Sequence, residues 1–215
     1  MIRLYVFDLD GTLVDSLRDL ADSANALLVE CGAPSLDELT VGRMVGEGAA
    51  TLVARVFRSV GRPQPADALE HFLAIYETRL LNHTRPYDGI PQVLEDLALR
   101  ASLAVLTNKP IAATRRLLAG LDLDRFFVDD AVLGGDGPFP RKPDPSGLRE
   151  LTVRASVPAA ETMLVGDSAI DWHTARNAGT RVCLARYGFG FQGVPLAELT
   201  AGESIIDSPR DLLVM

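Results

Sequence analysis

The chain has 215 residues, of which 47% are hydrophobic and 23% charged, and its formal net charge is −8. That length can bury a sizeable core in one domain or one and a half, and the composition is that of an ordinary globular protein. The negative balance argues against nucleic acid or an anionic membrane as a partner, and any anionic ligand must be met by local positive charge.

In chain order, Leu4-Tyr5-Val6-Phe7 reads as a first strand that ends in Asp8-Leu9-Asp10-Gly11-Thr12. Carboxylates two residues apart at a strand end point the same way, because strand side chains alternate with period two. Such a pair needs a cation between its members or a shared proton, and a hard divalent ion with oxygen ligands, Mg²⁺ above all, meets that need. Residues 16 to about 83 then read as helical, with no convincing strand. Leu17, Leu20, Ala24, Leu27 and Leu28 recur at helical spacing, and Ser35-Leu36-Asp37-Glu38 reads as a capping box opening a second helix. Leu52, Val53, Val56 and Phe57 make a third apolar stripe; Leu69, Phe72, Leu73, Tyr76 and Leu80 make a fourth.

From Pro86 onward the pattern changes. Short apolar runs at 103–106, 131–133, 163–165 and 182–184 alternate with helical segments at 112–121, 145–154 and 170–178. That alternation implies a parallel sheet with helices on both faces. The first strand must join this later sheet, which makes the helical block an insertion. The expected fold is therefore α/β, a doubly wound parallel-sheet (Rossmann-like) core of residues 1–15 and 84–215, with an all-helical cap of residues 16–83. Gly188-Phe189-Gly190-Phe191-Gln192-Gly193 has the spacing of a dinucleotide fingerprint, but no amphipathic helix opens at its last glycine, so it reads as a loop at the core rim. Cys31 and Cys183 stand in no metal-like or redox spacing. With no charged-then-apolar leader and no apolar run of spanning length, a cytoplasmic setting is expected.

Ligand sites in such sheets lie beyond the carboxyl ends of the strands. There the first strand delivers Asp8 and Asp10, and the second Thr107-Asn108-Lys109-Pro110. A later loop brings Arg141-Lys142-Pro143, and the run 163–165 ends in Gly166-Asp167-Ser168 with Asp171 close behind. A hydroxyl, an ammonium and four carboxylates meeting at one end of a sheet point to phosphoryl transfer. The chain's only lysines, Lys109 and Lys142, both sit in these loops among 21 Lys and Arg residues in all. A compact ammonium that binds phosphate as a point charge is not interchangeable with a planar guanidinium.

The order Asp-x-Asp-Gly-Thr, Thr-Asn, Lys-Pro and Gly-Asp-Ser-x-x-Asp resembles the haloacid dehalogenase superfamily of Mg²⁺-dependent phosphohydrolases, over essentially the whole chain and in its helical-cap subgroup. Finer resemblance, in Asp10-Gly11-Thr12-Leu13-Val14-Asp15-Ser16, Val45-Gly46-Glu47-Gly48 and Thr107-Asn108-Lys109-Pro110, is to the phosphoglycolate phosphatases. The resemblance implies Asp8 as nucleophile and Asp10 as acid and base. It implies Mg²⁺ held by the Asp8 carboxylate, the Asp10 carbonyl and Asp167, with Asp171 in support. It implies Thr107 and Lys142 as phosphate ligands and leaves Asn108 to orient either the phosphate or the general acid. Lys109 is a further phosphate candidate, or is held at a helix start. The implied substrate is a small anionic phosphorylated metabolite, 2-phosphoglycolate first; the alternatives are a sugar or polyol phosphate, a phosphomutase reaction, or pyrophosphate. A phosphoacceptor or phospho-ligand binding protein without turnover is the reading from another class, and a monomer or homodimer is expected. Substrate choice belongs to the cap, where Arg43 is the candidate carboxylate clamp. Glu47 would repel an anionic substrate unless it pairs with a nearby arginine.

Overall fold

Four consecutive apolar residues, Leu4–Phe7, form strand β1 and are buried on both faces. In the computed structural model, which describes residues 1–215, β1 is followed by the two-residue strand β2 (Val14–Asp15). Helices α1 (Leu17–Glu30), α2 (Glu38–Gly42), α3 (Ala49–Ser59) and α4 (Ala68–Arg79) come next, then a second two-residue strand, β3 (Arg85–Pro86). β2 and β3 pair antiparallel, so the four helices leave and return through one narrow ribbon. The remaining elements are α5 (Ile90–Ala98), β4 (Ser102–Leu106), α6 (Ile111–Gly120), β5 (Val132–Leu133), α7 (Ser146–Arg154), β6 (Thr162–Gly166), α8 (Ala169–Ala178), β7 (Arg181–Ala185) and β8 (Glu203–Ile206). A short 3₁₀ helix, Pro209–Val214, ends the fold.

The main sheet has six strands in the order β5-β4-β1-β6-β7-β8, with every pair parallel. The chain winds outward from β1 to β4 and β5 on one side, then crosses to β6, β7 and β8 on the other. β1 and its neighbours therefore mark the point where strand order reverses, the position at which such sheets open a crevice for ligands.

Alternation along β1 divides the core. Tyr5 and Phe7 belong to a cluster of 37 buried residues that takes in one sheet face, α5, α6 and apolar residues of α1, α3 and α4. Leu4 and Val6 join a 14-residue cluster on the other face with Leu148 and Leu151 of α7 and Trp172 and Ala175 of α8. The helical insertion and the sheet thus share one continuous apolar core.

Several local readings change. The helix α2 is capped by Asp37, whose side chain accepts from the Thr40 amide at 2.9 Å, and not by Ser35. Helix α6 opens at Ile111, one residue before the 112–121 segment read from the sequence, with Pro110 as its N-cap. β8 and the β2–β3 ribbon carry no signal that the periodicity could reveal. The capping box does occur elsewhere, at Ser168 and Asp171 of α8.

Candidate active site

Phe7 lies in register with Val105 of β4 and Val165 of β6, so the residues that follow these strands emerge at one level of the sheet. Asp8 leaves β1 there, Thr107 leaves β4, and Asp167 leaves β6. Lys142 comes from the loop between β5 and α7. Asp8, Thr107, Asn108, Lys109, Lys142, Asp167 and Asp171 are all buried, and Asp10 is half-buried.

Lys142 is the electrostatic centre of one half of the site. Its Nζ lies 2.9 Å from Asp8 Oδ1 and 2.6 Å from Asp171 Oδ1. Burial alone would pull its proton affinity down, but Asp171 and Asp8 more than reverse this and hold it above the usual lysine range. Burial pushes the Asp8 carboxyl up to about 6; Lys142 opposes that rise, and the charge on Asp171 adds to it. Asp167 is raised well above the usual carboxylate range by burial and by Asp171 and Asp8, against one backbone hydrogen bond from Gly190 N at 2.8 Å. Asp171 accepts from Ser168 Oγ at 2.6 Å as well as from Lys142, so helix capping and ion pairing fix it together.

Two glycines let the backbone close on Asp167. Gly11 has φ of +88°, and a Cβ there would overlap the Asp167 carboxylate. A Cβ on Gly188 would strike both Asp167 and the Gly11 carbonyl. The glycine-rich loop read as a core rim therefore seats Asp167.

Asp10 belongs to a second charge group. Its carboxylate accepts from Ser16 Oγ at 2.5 Å and from Lys109 Nζ at 3.0 Å on both oxygens. Lys109 Nζ also donates to the hydroxyl of Tyr76, on α4, at 2.7 Å. It sits 4.5 Å from the centre of the Tyr76 ring. Burial lowers the Lys109 proton affinity, yet Asp10 and Tyr76 bring it above the ordinary lysine value. Lys109 therefore faces Asp10 and the helical insertion, neither free at a helix start nor grouped with Asp8 and Lys142.

The other candidates fall in less expected places. Thr107 lines the cavity, and its hydroxyl accepts from the Lys109 amide at 3.2 Å. Asn108 Nδ2 donates to the carbonyls of Gly46, at 2.9 Å, and Lys142, at 3.0 Å, so it fastens the 45–48 loop to the core. Its Oδ1 is buried without a partner. Arg43 lies apart from the other candidates: its Nε reaches Gln192 Oε1 at 3.3 Å, and it does not line the cavity above Asp8. Arg55 forms an ion pair with Glu47, which removes the repulsion that residue would otherwise exert.

The cavity above Asp8 has a volume of about 60 Å³. The core supplies Asp8, Asp10, Thr107, Asn108 and Lys109 as its polar floor, and Leu20, Leu52, Phe72, Leu73 and Tyr76 of the helices roof it. Tyr76 is the functional candidate that sequence reading missed, because it sits on the apolar stripe of α4 and reads there as core. Burial raises its hydroxyl to about 12, so it stays a neutral donor and acceptor.

Carboxylate oxygens of Asp8, Asp167 and Asp171 lie within 4.8 Å of one another, all on buried residues. Three carboxylates against the single ammonium of Lys142 leave an excess of buried negative charge, and the raised Asp167 shows that cost. A hard, oxygen-only donor set of this charge fits a divalent cation such as Mg²⁺. Asp10 enters this set by no side-chain oxygen.

Residues 5–185 match the family described as haloacid dehalogenase-like hydrolase. A phosphoglycolate phosphatase of Rhodospirillum rubrum is 43% identical over 210 residues, which cover 94% of this chain and 86% of that protein. The plasmid phosphoglycolate phosphatase of Cupriavidus necator is 37% identical, covering 94% and 88% respectively. Among solved structures, a predicted phosphoglycolate phosphatase from Haemophilus somnus superposes with a TM-score of 0.88 at 31% identity, over 99% of this chain and 97% of that one.

Proposed function

The chain belongs to the haloacid dehalogenase-like hydrolase family, and we propose that it is a phosphatase of small phosphate monoesters, 2-phosphoglycolate first among them. The observation that carries this is the division of two neighbouring carboxylates between two settings. Asp8 is buried against Lys142 and the acid cluster, while Asp10 is held by Ser16 and Lys109, and both face one cavity. The names of the relatives supply the first substrate to try.

In this mechanism Asp8 attacks phosphorus, the ester P–O bond breaks, and an aspartyl-phosphate forms on Asp8. Asp10 gives a proton to the departing oxygen, then takes one from the water that hydrolyses the aspartyl-phosphate, which frees phosphate and restores Asp8. Lys142 and the Thr107 hydroxyl bind phosphoryl oxygens and offset the repulsion between an acidic nucleophile and an anionic ester. When bound by Asp8, Asp167 and Asp171, a Mg²⁺ ion supplies further neutralisation of phosphoryl charge. Helices α1–α4 act as the cap, their apolar roof keeping bulk water from the aspartyl-phosphate.

Phosphate release from 2-phosphoglycolate and from an aryl phosphate, with MgCl₂ present, tests the reading. Asp8→Asn is expected to lower kcat by about 1000-fold or more, because the nucleophile is lost. A wild type inert toward every monoester, or an Asp8→Asn variant of equal activity, overturns it.

A further inference from the structure

The cavity roof is apolar, and the cap contributes no cation to it: Arg43 and Arg55 point to Gln192 and Glu47 outside its lining. The one cation that lines it is Lys109. Its ammonium has three donors, which Asp10 and the Tyr76 hydroxyl occupy. A buried ammonium shared between the general acid and a cap hydroxyl is not needed for phosphoryl binding, which Lys142 and Thr107 provide. It stands where a second anionic group of the substrate would arrive. If Asp10 protonates the ester oxygen, a carboxylate one carbon beyond that oxygen falls beside the Lys109 ammonium, 3.0 Å from both Asp10 oxygens.

We propose that Lys109 and Tyr76 form a carboxylate-recognition pair that selects phosphate esters of short 2-hydroxy acids. The proposal rests on the phosphatase reading and deepens it. Lys109 gives the substrate carboxylate a charged hydrogen bond, and the Tyr76 hydroxyl turns from accepting the lysine's proton to donating its own. Recognition thereby draws on one core residue and one residue of α4, so the cap must be closed for the carboxylate to be read. Esters with a neutral group at that position leave Lys109 paired with Asp10 and Tyr76 and gain nothing from it.

The test compares kcat/KM for 2-phosphoglycolate with that for 2-hydroxyethyl phosphate, the same ester with a hydroxymethyl group in place of the carboxylate. The wild type should favour 2-phosphoglycolate, and Lys109→Met should reduce that preference on the order of 10- to 100-fold, the worth of one charged hydrogen bond. Tyr76→Phe, which removes only the hydroxyl, should reduce it by about 3- to 10-fold, chiefly through KM. Because Lys109→Met also strips Asp10 of its partner, melting curves accompany both variants, and Tyr76→Phe decides the matter if Lys109→Met does not fold. Equal losses on both esters would assign Lys109 to positioning Asp10 and overturn the proposal, as would an unchanged preference in Tyr76→Phe. A wild type that hydrolyses neither these esters nor an aryl phosphate removes the phosphatase reading itself, and one that hydrolyses only the aryl phosphate removes the carboxylate pair alone. A wild-type preference that survives in both variants removes the pair alone.

Discussion

A single ammonium, on Lys142, stands between the buried carboxylates of Asp8 and Asp171. Removing one partner of a buried ion pair leaves charge uncompensated in a poor solvent, and the cost is typically several kcal/mol. Lys142→Met is therefore expected to lower metal-free stability by about 3 kcal/mol, read from urea denaturation, with Mg²⁺ restoring part of the loss. No loss on substitution would mean that the Lys142 ion pairs carry no weight in the metal-free fold. At this scale Asp8, Asp167 and Lys142 were legible, because each combines a residue type rare in a core with a position at a strand end. Lys109 was half-legible: its rarity marked it, but its partner Tyr76 comes from an insertion whose packing no spacing reveals. The placement of Arg43 was not legible, because charge and proximity in sequence to the 45–48 loop say nothing about direction. Its guanidinium turns outward to Gln192, away from the apolar roof.

The helical insertion is clasped at its base by one side chain. Asp19, in the first turn of α1, accepts from the His83 amide at 3.0 Å and from the Thr84 amide and hydroxyl at 2.8 and 2.7 Å. Both ends of the insertion are thus tied beside the β2–β3 ribbon. Asp19→Ala would leave these buried donors unpaired, with an expected loss of about 3 kcal/mol in denaturant-derived stability. A loss below about 0.5 kcal/mol, the level of an ordinary surface substitution, would show that the clasp carries no weight. The long helices and the buried strands β1, β4, β6 and β7 were readable from period and length. β2 and β3 have two residues each, too few for any alternation to register. The half-buried β8 follows a stretch of turns and lacks the apolar run of the other strands. In α2 the residues read as a capping box from Ser35, and the backbone path makes Asp37 the cap instead.

Across the molecule, a buried acid cluster makes metal and pH interdependent. Asp8 titrates near 6 in the folded chain and Asp167 lies well above its usual range, whereas both revert to about 4 on unfolding. Acids raised by folding contribute stability below their unfolded values and lose it as pH rises through the folded ones. The metal-free protein should thus lose stability from this cluster as pH rises from about 4 through 6, where Asp8 titrates, and further as Asp167 ionises in its raised range. A divalent ion bound there reverses the repulsion, so the rise in Tm on adding Mg²⁺ should be small at pH 5 and grow by pH 7.5. A rise independent of pH would place the ion elsewhere. The doubly wound topology was legible as a whole, since alternating short apolar runs and helices admit few other arrangements. The continuity of the apolar core between insertion and sheet was not, because it depends on which helix faces meet. The central place of β1 has a consequence for how the chain is made. Its partner β6 leaves the ribosome 159 residues after Phe7, counting to Gly166, which is roughly 10 to 30 seconds at ordinary translation speed. For that interval a wholly apolar strand carries an open edge, and Asp8 stands without Asp167 and Asp171 around it. The nascent chain is most exposed to aggregation just before the sheet closes around this strand.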